Sequence, residues 1–202
     1  MFLKSYLVVN GDISTLYINK KLAGKKDIYC TDGAFDKICN CNINIKGIIG
    51  DLDSLKSPIP REIQTINTPN QDYTDFAKAL FYLNNQGYKS VDVFGASGGE
   101  MDHFLGILNV ASSTNLKLKF YDKLQEYFFI DKKVKLKNVH GKTISLIPFP
   151  TASLINASGL KYPLENYNSK LQEAISIRNE AISDTVEISC RDGKLIIFIS
   201  TE

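Results

Sequence analysis

Asp51 and Asp53 stand two residues apart in the run Ile49-Gly50-Asp51-Leu52-Asp53-Ser54. In an extended segment residues i and i+2 share a face, so both carboxylates reach one point, where a hard cation such as Mg2+ takes oxygen ligands. By itself a GDxD run is equally well explained as a capped turn, because Asp and Gly are common turn residues. A second acidic run, Gln71-Asp72-Tyr73-Thr74-Asp75, opens a helical pattern, where one Asp or Thr suffices as an N-cap. Capping leaves the other acids unexplained, and carboxylates crowded together without a cation repel one another. A third constellation, Gly95-Ala96-Ser97-Gly98-Gly99-Glu100-Met101-Asp102-His103, is a glycine-rich turn entering a helix. Glycines let a backbone approach a phosphate, and the free N–H groups and dipole of a helix start favour an anion. A capping Asp102 beside a surface His103 is the plainer explanation of its end. Acids that would repel phosphate, next to glycines that would cradle it, fit a divalent cation bridging the two, as in a metal-bound nucleotide. No GxxxxGK[ST] loop is present and no GxGxxG follows the first strand, which removes the ordinary P-loop and dinucleotide readings.

The apolar pattern supplies a frame for these runs. Residues 6–9, 27–30, 47–49 and 91–94 are short apolar runs of the kind found in buried parallel strands. Between and after them, residues 75–84 place Phe76, Ala79, Leu80 and Leu83 at helical spacing, and residues 101–112 do the same with Leu105, Leu108 and Ala111. Strands alternating with helices imply right-handed crossovers and an open sheet. Ligands of such sheets bind beyond the carboxyl ends of the strands. Here those ends run into Asn10-Gly11-Asp12, Thr31-Asp32-Gly33-Ala34, Gly50-Asp51 and Gly95-Ala96. From about Leu118 the texture changes to strand-like runs at 118–121, 127–130, 143–147, 186–190 and 195–199, with little helical pattern between them. Asp192-Gly193 between the last two predicts a tight primed hairpin turn. The expected fold is α/β plus all-β: an open, mainly parallel, Rossmann-like α/β domain over residues 1–124, then an antiparallel β domain over residues 125–202.

Composition narrows the partners. The 202 residues carry 24 Lys and Arg against 22 Asp and Glu, a net charge of +2, without the basic surplus of a nucleic-acid or membrane-surface binder. A small-molecule partner is expected, and no nucleic acid. No apolar run approaches the roughly 20 residues that span a bilayer, and the first residues lack the apolar core of a signal peptide. Cys30, Cys39, Cys41 and Cys190 show neither zinc spacing nor a disulfide ladder. Reduced thiols and a cytoplasmic location are the expectation.

In order along the chain, CTDGAFDKI, IIGDLDSL, NQDYTDFAKAL and GASGGEMDHFLGILN closely resemble the DGGA, GDxDS, QDxTDxxKAL and GxxGGRxDHxxxN blocks of thiamine pyrophosphokinases. HGKTISLIPF, ASGLKYPLEN and RNEAISDTVEISCRDGKLIIFI resemble that family's C-terminal β-sandwich, with its SLIP strand, GLKYPL segment and SNE-type thiamine loop. The resemblance implies transfer of a diphosphate from ATP to the hydroxyl of thiamine, with Mg2+. It also implies a homodimer, in which the α/β domain of one subunit holds Mg-ATP while the β domain of the other helps to hold thiamine. By matching positions, Asp51, Asp53 and Asp75 would be the metal and triphosphate group, joined by Asp32. Asn10, Gly11, Gly33, Gln71, Asp72, Thr74, Ser97, Gly98, Gly99, Asp102 and His103 would border nucleotide or phosphates. Asp75 or Asp102 would accept a hydrogen bond from the thiamine hydroxyl, and Arg178, Asn179 and Glu180 would face thiamine. The chain departs from the family pattern at Arg178, at Glu100 where Arg is usual, and in having no Trp. Two other readings keep the site: a pyrophosphokinase acting on a pterin alcohol, and a nucleotide-sensing module with a degenerate substrate pocket.

Overall fold

The computed structural model describes residues 3–173 and 175–201. The chain divides into two compact units, Met1–Asp122 and Lys123–Glu202.

The first unit begins with β1 (Lys4–Val8), α1 (Thr15–Leu22), β2 (Ile28–Thr31), α2 (Asp32–Ile38) and β3 (Ile45–Gly50). It continues with β4 (Gln64–Asn67), α3 (Asp75–Asn85), β5 (Ser90–Phe94), α4 (Met101–Ser113) and β6 (Lys117–Tyr121). The strands lie in the order β4-β3-β2-β1-β5-β6, and every pair is parallel. In the central strands β1, β2, β3 and β5 the apolar runs are almost wholly buried, as strands covered on both faces require. Val8, Ile28, Cys30, Ile48 and Phe94 of the sheet pack with Ile18 and Leu22 of α1 and Ala34, Phe35 and Ile38 of α2. On α3, Phe76, Ala79, Leu80 and Leu83 are all buried, as their spacing predicts.

This unit departs from the sequence pattern at two places. Residues 118–121 belong to β6, a parallel neighbour of β5, and not to the antiparallel part. Along it, Leu118 and Phe120 are buried, while Lys119 and Tyr121 are half-buried. On α4, Leu105 is exposed; Leu108 and Ala111 are buried, while Asp102, His103 and Gly106 turn toward a cavity.

The second unit holds β7 (Gln125–Ile130), β8 (Lys133–Lys137), β9 (Thr143–Ser158), β10 (Leu164–Lys170), β11 (Ser176–Glu180), β12 (Thr185–Ser189) and β13 (Asp192–Ser200). All its ladders are antiparallel. The 16-residue β9 organises them. Its first part pairs with β13 and β11, and its later part with β12 and β10. β7 adds to β13, and β8 to β12. Ile144, Leu146, Ile155, Val186, Ile188, Leu195 and Ile197 are the centre of its core.

The expected hairpin at Asp192-Gly193 does not form: β12 and β13 are separated by β9. Gly193 instead pairs with Ala152 of β9. A Cβ there would stand 2.1 Å from the Thr151 carbonyl oxygen, and its φ is +82°. Backbone crowding against β9 demands the glycine, and the local sequence of a primed turn mimics that demand.

Candidate active site

The carboxyl edge of the first sheet is built by loops that bind one another. After β1, the Gly11 N–H donates to the Gly95 carbonyl at 2.7 Å, and the Asp12 N–H to the Ser97 carbonyl at 2.9 Å. Lys37 of α2 donates to the carbonyls of Asn10 (2.8 Å) and Gly11 (2.9 Å), which fixes the same loop from the other side.

Asp32 opens α2 directly from the end of β2, and it is 2% exposed. Its Oδ1 accepts from the Gly33 N–H at 2.7 Å and its Oδ2 from the Leu52 N–H at 3.1 Å. The carboxylate thus bridges the start of α2 to the turn after β3. That turn passes close because residue 50 is glycine: a Cβ there would lie 2.5 Å from Asp32 Cγ. Burial pushes the Asp32 carboxyl above its ordinary range, the charges of Asp75 and Asp51 add to the rise, and the two N–H donors oppose it.

Asp51 accepts from Gln71 Nε2 at 2.9 Å and from the Asp53 N–H at 3.2 Å. The Gln71 amide is the chief reason its carboxyl sits below the usual range. Thr74 is the N-cap of α3, accepting from the Ala77 N–H at 3.3 Å. Asp75 then lies in the first turn, 3.1 Å from Lys78 Nζ. Asp102 occupies the first turn of α4, where its Oδ1 accepts from the His103 N–H.

One cavity of about 470 Å³ collects most of these side chains: Asn10, Asp32, Gly33, Asp51, Gln71, Thr74, Asp75, Asp102 and His103 border it. Among the carboxylates drawn from four separate runs, Asp32, Asp51, Asp75 and Asp102 therefore share one space. Asp53 and Asp72 are exposed and do not border the cavity. Ser97, Gly98 and Gly99 also lie outside its lining. The Ser97 hydroxyl donates to Asp122 at 2.9 Å, while Gly98 faces Asp12 and Gly99 faces Gly11. In this structure the turn serves loop-to-loop packing.

The expected metal trio is not tightly gathered. Among the described residues, the group of three whose ligand atoms lie within 4.8 Å of one another is Glu100, Asp102 and His103, all exposed. Asp51 is held by Gln71, Asp75 by Lys78, and Asp53 faces solvent. Ser54, Tyr73 and Lys78 border the cavity without having been singled out from sequence. For Lys78 the signal was its place three residues after Asp75, a helical i,i+3 spacing that puts an ammonium beside a carboxylate.

Arg178, Asn179 and Glu180 lie on β11 of the second unit. Arg178 has φ +55°, and its N–H donates to Ser145 Oγ at 2.9 Å. Asn179 is 3% exposed. Its Oδ1 accepts from the Tyr162 and Glu180 N–H groups, and its Nδ2 donates to the Tyr162 carbonyl at 2.7 Å. The amide braces the strand that carries Arg178. Glu180 pairs with Lys161 at 3.3 Å.

Fold and site together define a mixed α/β protein with extensive sheet, whose parallel strands bring carboxylates to the edge where open sheets bind ligands. Residues 18–121 match the family model described as thiamin pyrophosphokinase, catalytic domain, and residues 130–195 the one described as thiamin pyrophosphokinase, vitamin B1 binding domain. The chain belongs to the thiamine pyrophosphokinase family, ATP-dependent diphosphotransferases. It is 30% identical over 165 residues to thiamine pyrophosphokinase of Bacillus subtilis (strain 168), covering 76% of this chain and 77% of that one. A Caenorhabditis elegans thiamin pyrophosphokinase 1 is 24% identical over 193 residues, covering 83% and 76%. In fold, a crystal structure of the Bacillus subtilis thiamine pyrophosphokinase superposes with a TM-score of 0.83 at 24% identity, covering 98% of this chain and 99% of that one. Thiamin pyrophosphokinase from Candida albicans does so at 0.80 and 19%, covering 100% and 90%. Neither the pterin-alcohol reading nor the sensor reading is favoured by these similarities.

Proposed function

We propose that this chain transfers the terminal diphosphate of ATP to the thiamine hydroxyl, giving thiamine diphosphate and AMP, with the nucleotide held in the carboxylate-lined cavity of the first unit. The observation that carries the reading is the convergence of Asp32, Asp51, Asp75 and Asp102 on that one cavity at the sheet's carboxyl edge. The family membership names the reaction, and the cavity offers it a place.

The donor set fits a hard divalent cation. Asp32 feels the charges of both Asp51 and Asp75, and like charges so placed are relieved by a cation that takes oxygen ligands. Asp51 and Asp75 would hold Mg2+, with Asp53 on the same turn as Asp51. When bound, the ion neutralises charge on the phosphates. Asp32 positions the Asp51 turn through the Leu52 N–H. Asp75 or Asp102 accepts the hydrogen bond of the attacking hydroxyl. In that attack the thiamine oxygen bonds to the β-phosphorus, the bond from that phosphorus to the oxygen shared with the α-phosphorus breaks, and AMP leaves. The hydroxyl proton passes to the carboxylate or to water. Such transfer asks the protein mainly for positioning and charge stabilisation.

The same reading assigns Mg-ATP to residues 1–124. Residues 125–202, as a β-sandwich, take thiamine binding and homodimer contact, with Arg178 and Glu180 facing thiamine from the strand that Asn179 braces. Incubation with Mg-ATP and either thiamine or hydroxymethyl-dihydropterin, following AMP, tests it. AMP with thiamine alone supports the reading; AMP with the pterin alone, or with neither, overturns it.

A further inference from the structure

Lys78 lies on α3 one turn after Asp75, and its side chain is 6% exposed. Its Nζ donates to Asp75 Oδ1 at 3.1 Å, and its charge also favours the ionised form of Asp51. An ammonium has three N–H donors. Among the described contacts, Asp75 is the side-chain acceptor it is given. A cation withdrawn from water with donors unspent is costly unless an acceptor reaches them, and Lys78 borders the cavity from which such an acceptor would come.

Asp32, Asp51, Asp75 and Asp102 border the cavity, and among its described lining residues Lys78 is the sole Lys or Arg. A polyphosphate entering beside four carboxylates brings more negative charge than one divalent ion offsets, so a fixed cation is needed where the phosphates lie. The pairing with Asp75 holds the ammonium at that place before ligand arrives. We propose that Lys78 binds a polyphosphate oxygen of the nucleotide directly, as a built-in cation beside the metal. This rests on the cavity being the nucleotide site.

The test uses the full chain and calorimetry with Mg2+ and α,β-methylene-ATP, whose bridging carbon cannot be displaced. A parallel titration follows Mn2+ binding to the nucleotide-free protein. Lys78→Met is expected to weaken analogue binding about tenfold to a hundredfold, the value of a charge-assisted hydrogen bond. Its Mn2+ affinity is expected to hold or rise, because Lys78 no longer competes for Asp75. Analogue binding within about twofold of wild type overturns the proposal. So does a Mn2+ affinity that falls in parallel with the analogue, because Lys78 would then merely support the carboxylates. If Lys78→Met fails to fold, Lys78→Gln is judged by the same two titrations. A wild-type protein that binds no analogue overturns the nucleotide reading and this proposal together, whereas binding by wild type and variant alike overturns this proposal alone.

Discussion

Gly50 and Asp32 fit together so closely that a single methyl group would separate them: a Cβ on residue 50 would lie 2.5 Å from Asp32 Cγ and 2.7 Å from its Oδ2. Asp32 then reaches the Leu52 N–H and fixes the turn that carries Asp51. Gly50→Ala is therefore expected to cost about 1–3 kcal/mol of stability through overpacking, and to lower kcat more than a stability change alone explains. Urea unfolding alongside steady-state rates checks both.

The raised carboxyl of Asp32 gives a pH dependence. Because burial lifts its folded-state value above the ordinary 3.8, the folded protein binds more protons than the unfolded chain in the window just above that value. Its contribution to stability is thus lost as pH rises through the folded value. Asp51, held low by Gln71, acts in the opposite sense, gaining stability above its ordinary value and losing it as pH falls. Metal-free melting curves across acidic pH are expected to show a flatter decline with rising pH in Asp32→Asn than in wild type. Equal slopes in the two proteins would remove Asp32 as the source.

On β11, support and function are expected to separate. Asn179→Ala strips a buried amide of three backbone partners and should cost about 2–3 kcal/mol. Arg178→Gly relieves a positive φ and should gain about 1 kcal/mol, while raising KM for thiamine and leaving KM for ATP unchanged. Thermal melts and paired KM measurements distinguish them.

Gly193 tests the ladder that replaced the expected hairpin. Gly193→Ala must accommodate both a φ of +82° and a contact 2.1 Å from the Thr151 oxygen, so a loss of about 2 kcal/mol or more is expected in urea unfolding. An exposed hairpin turn would lose less.

Much of the frame was readable in the sequence because burial on both faces writes itself as unbroken apolar runs. β1, β2, β3 and β5 announced themselves that way, and α3 through Phe76, Ala79, Leu80 and Leu83. α2 was not read, since seven residues beginning at Asp32 are too few to display a period. β4, Gln64–Asn67, is an edge strand largely open to solvent, without an apolar run to mark it. β10 and β11 carry register shifts that break alternation. At the site, acids followed by glycines marked the strand ends, yet their order said nothing of which side chains meet. Lys78 escaped for the same reason: a lysine on a helix reads as a solvated face, and only the packing of α3 against β3 and α4 encloses it.

The most direct measurement is the rate of AMP formation from ATP and thiamine with Mg2+, in wild type and in Asp51→Asn, with folding compared by circular dichroism and melting temperature. Wild type is expected to form AMP in step with thiamine diphosphate and to stop when EDTA removes the metal. Asp51→Asn, folded as well as wild type, is expected to fall by about a hundredfold or more. A folded Asp51→Asn protein turning over at near the wild-type rate would contradict the assignment of these carboxylates to the reacting nucleotide.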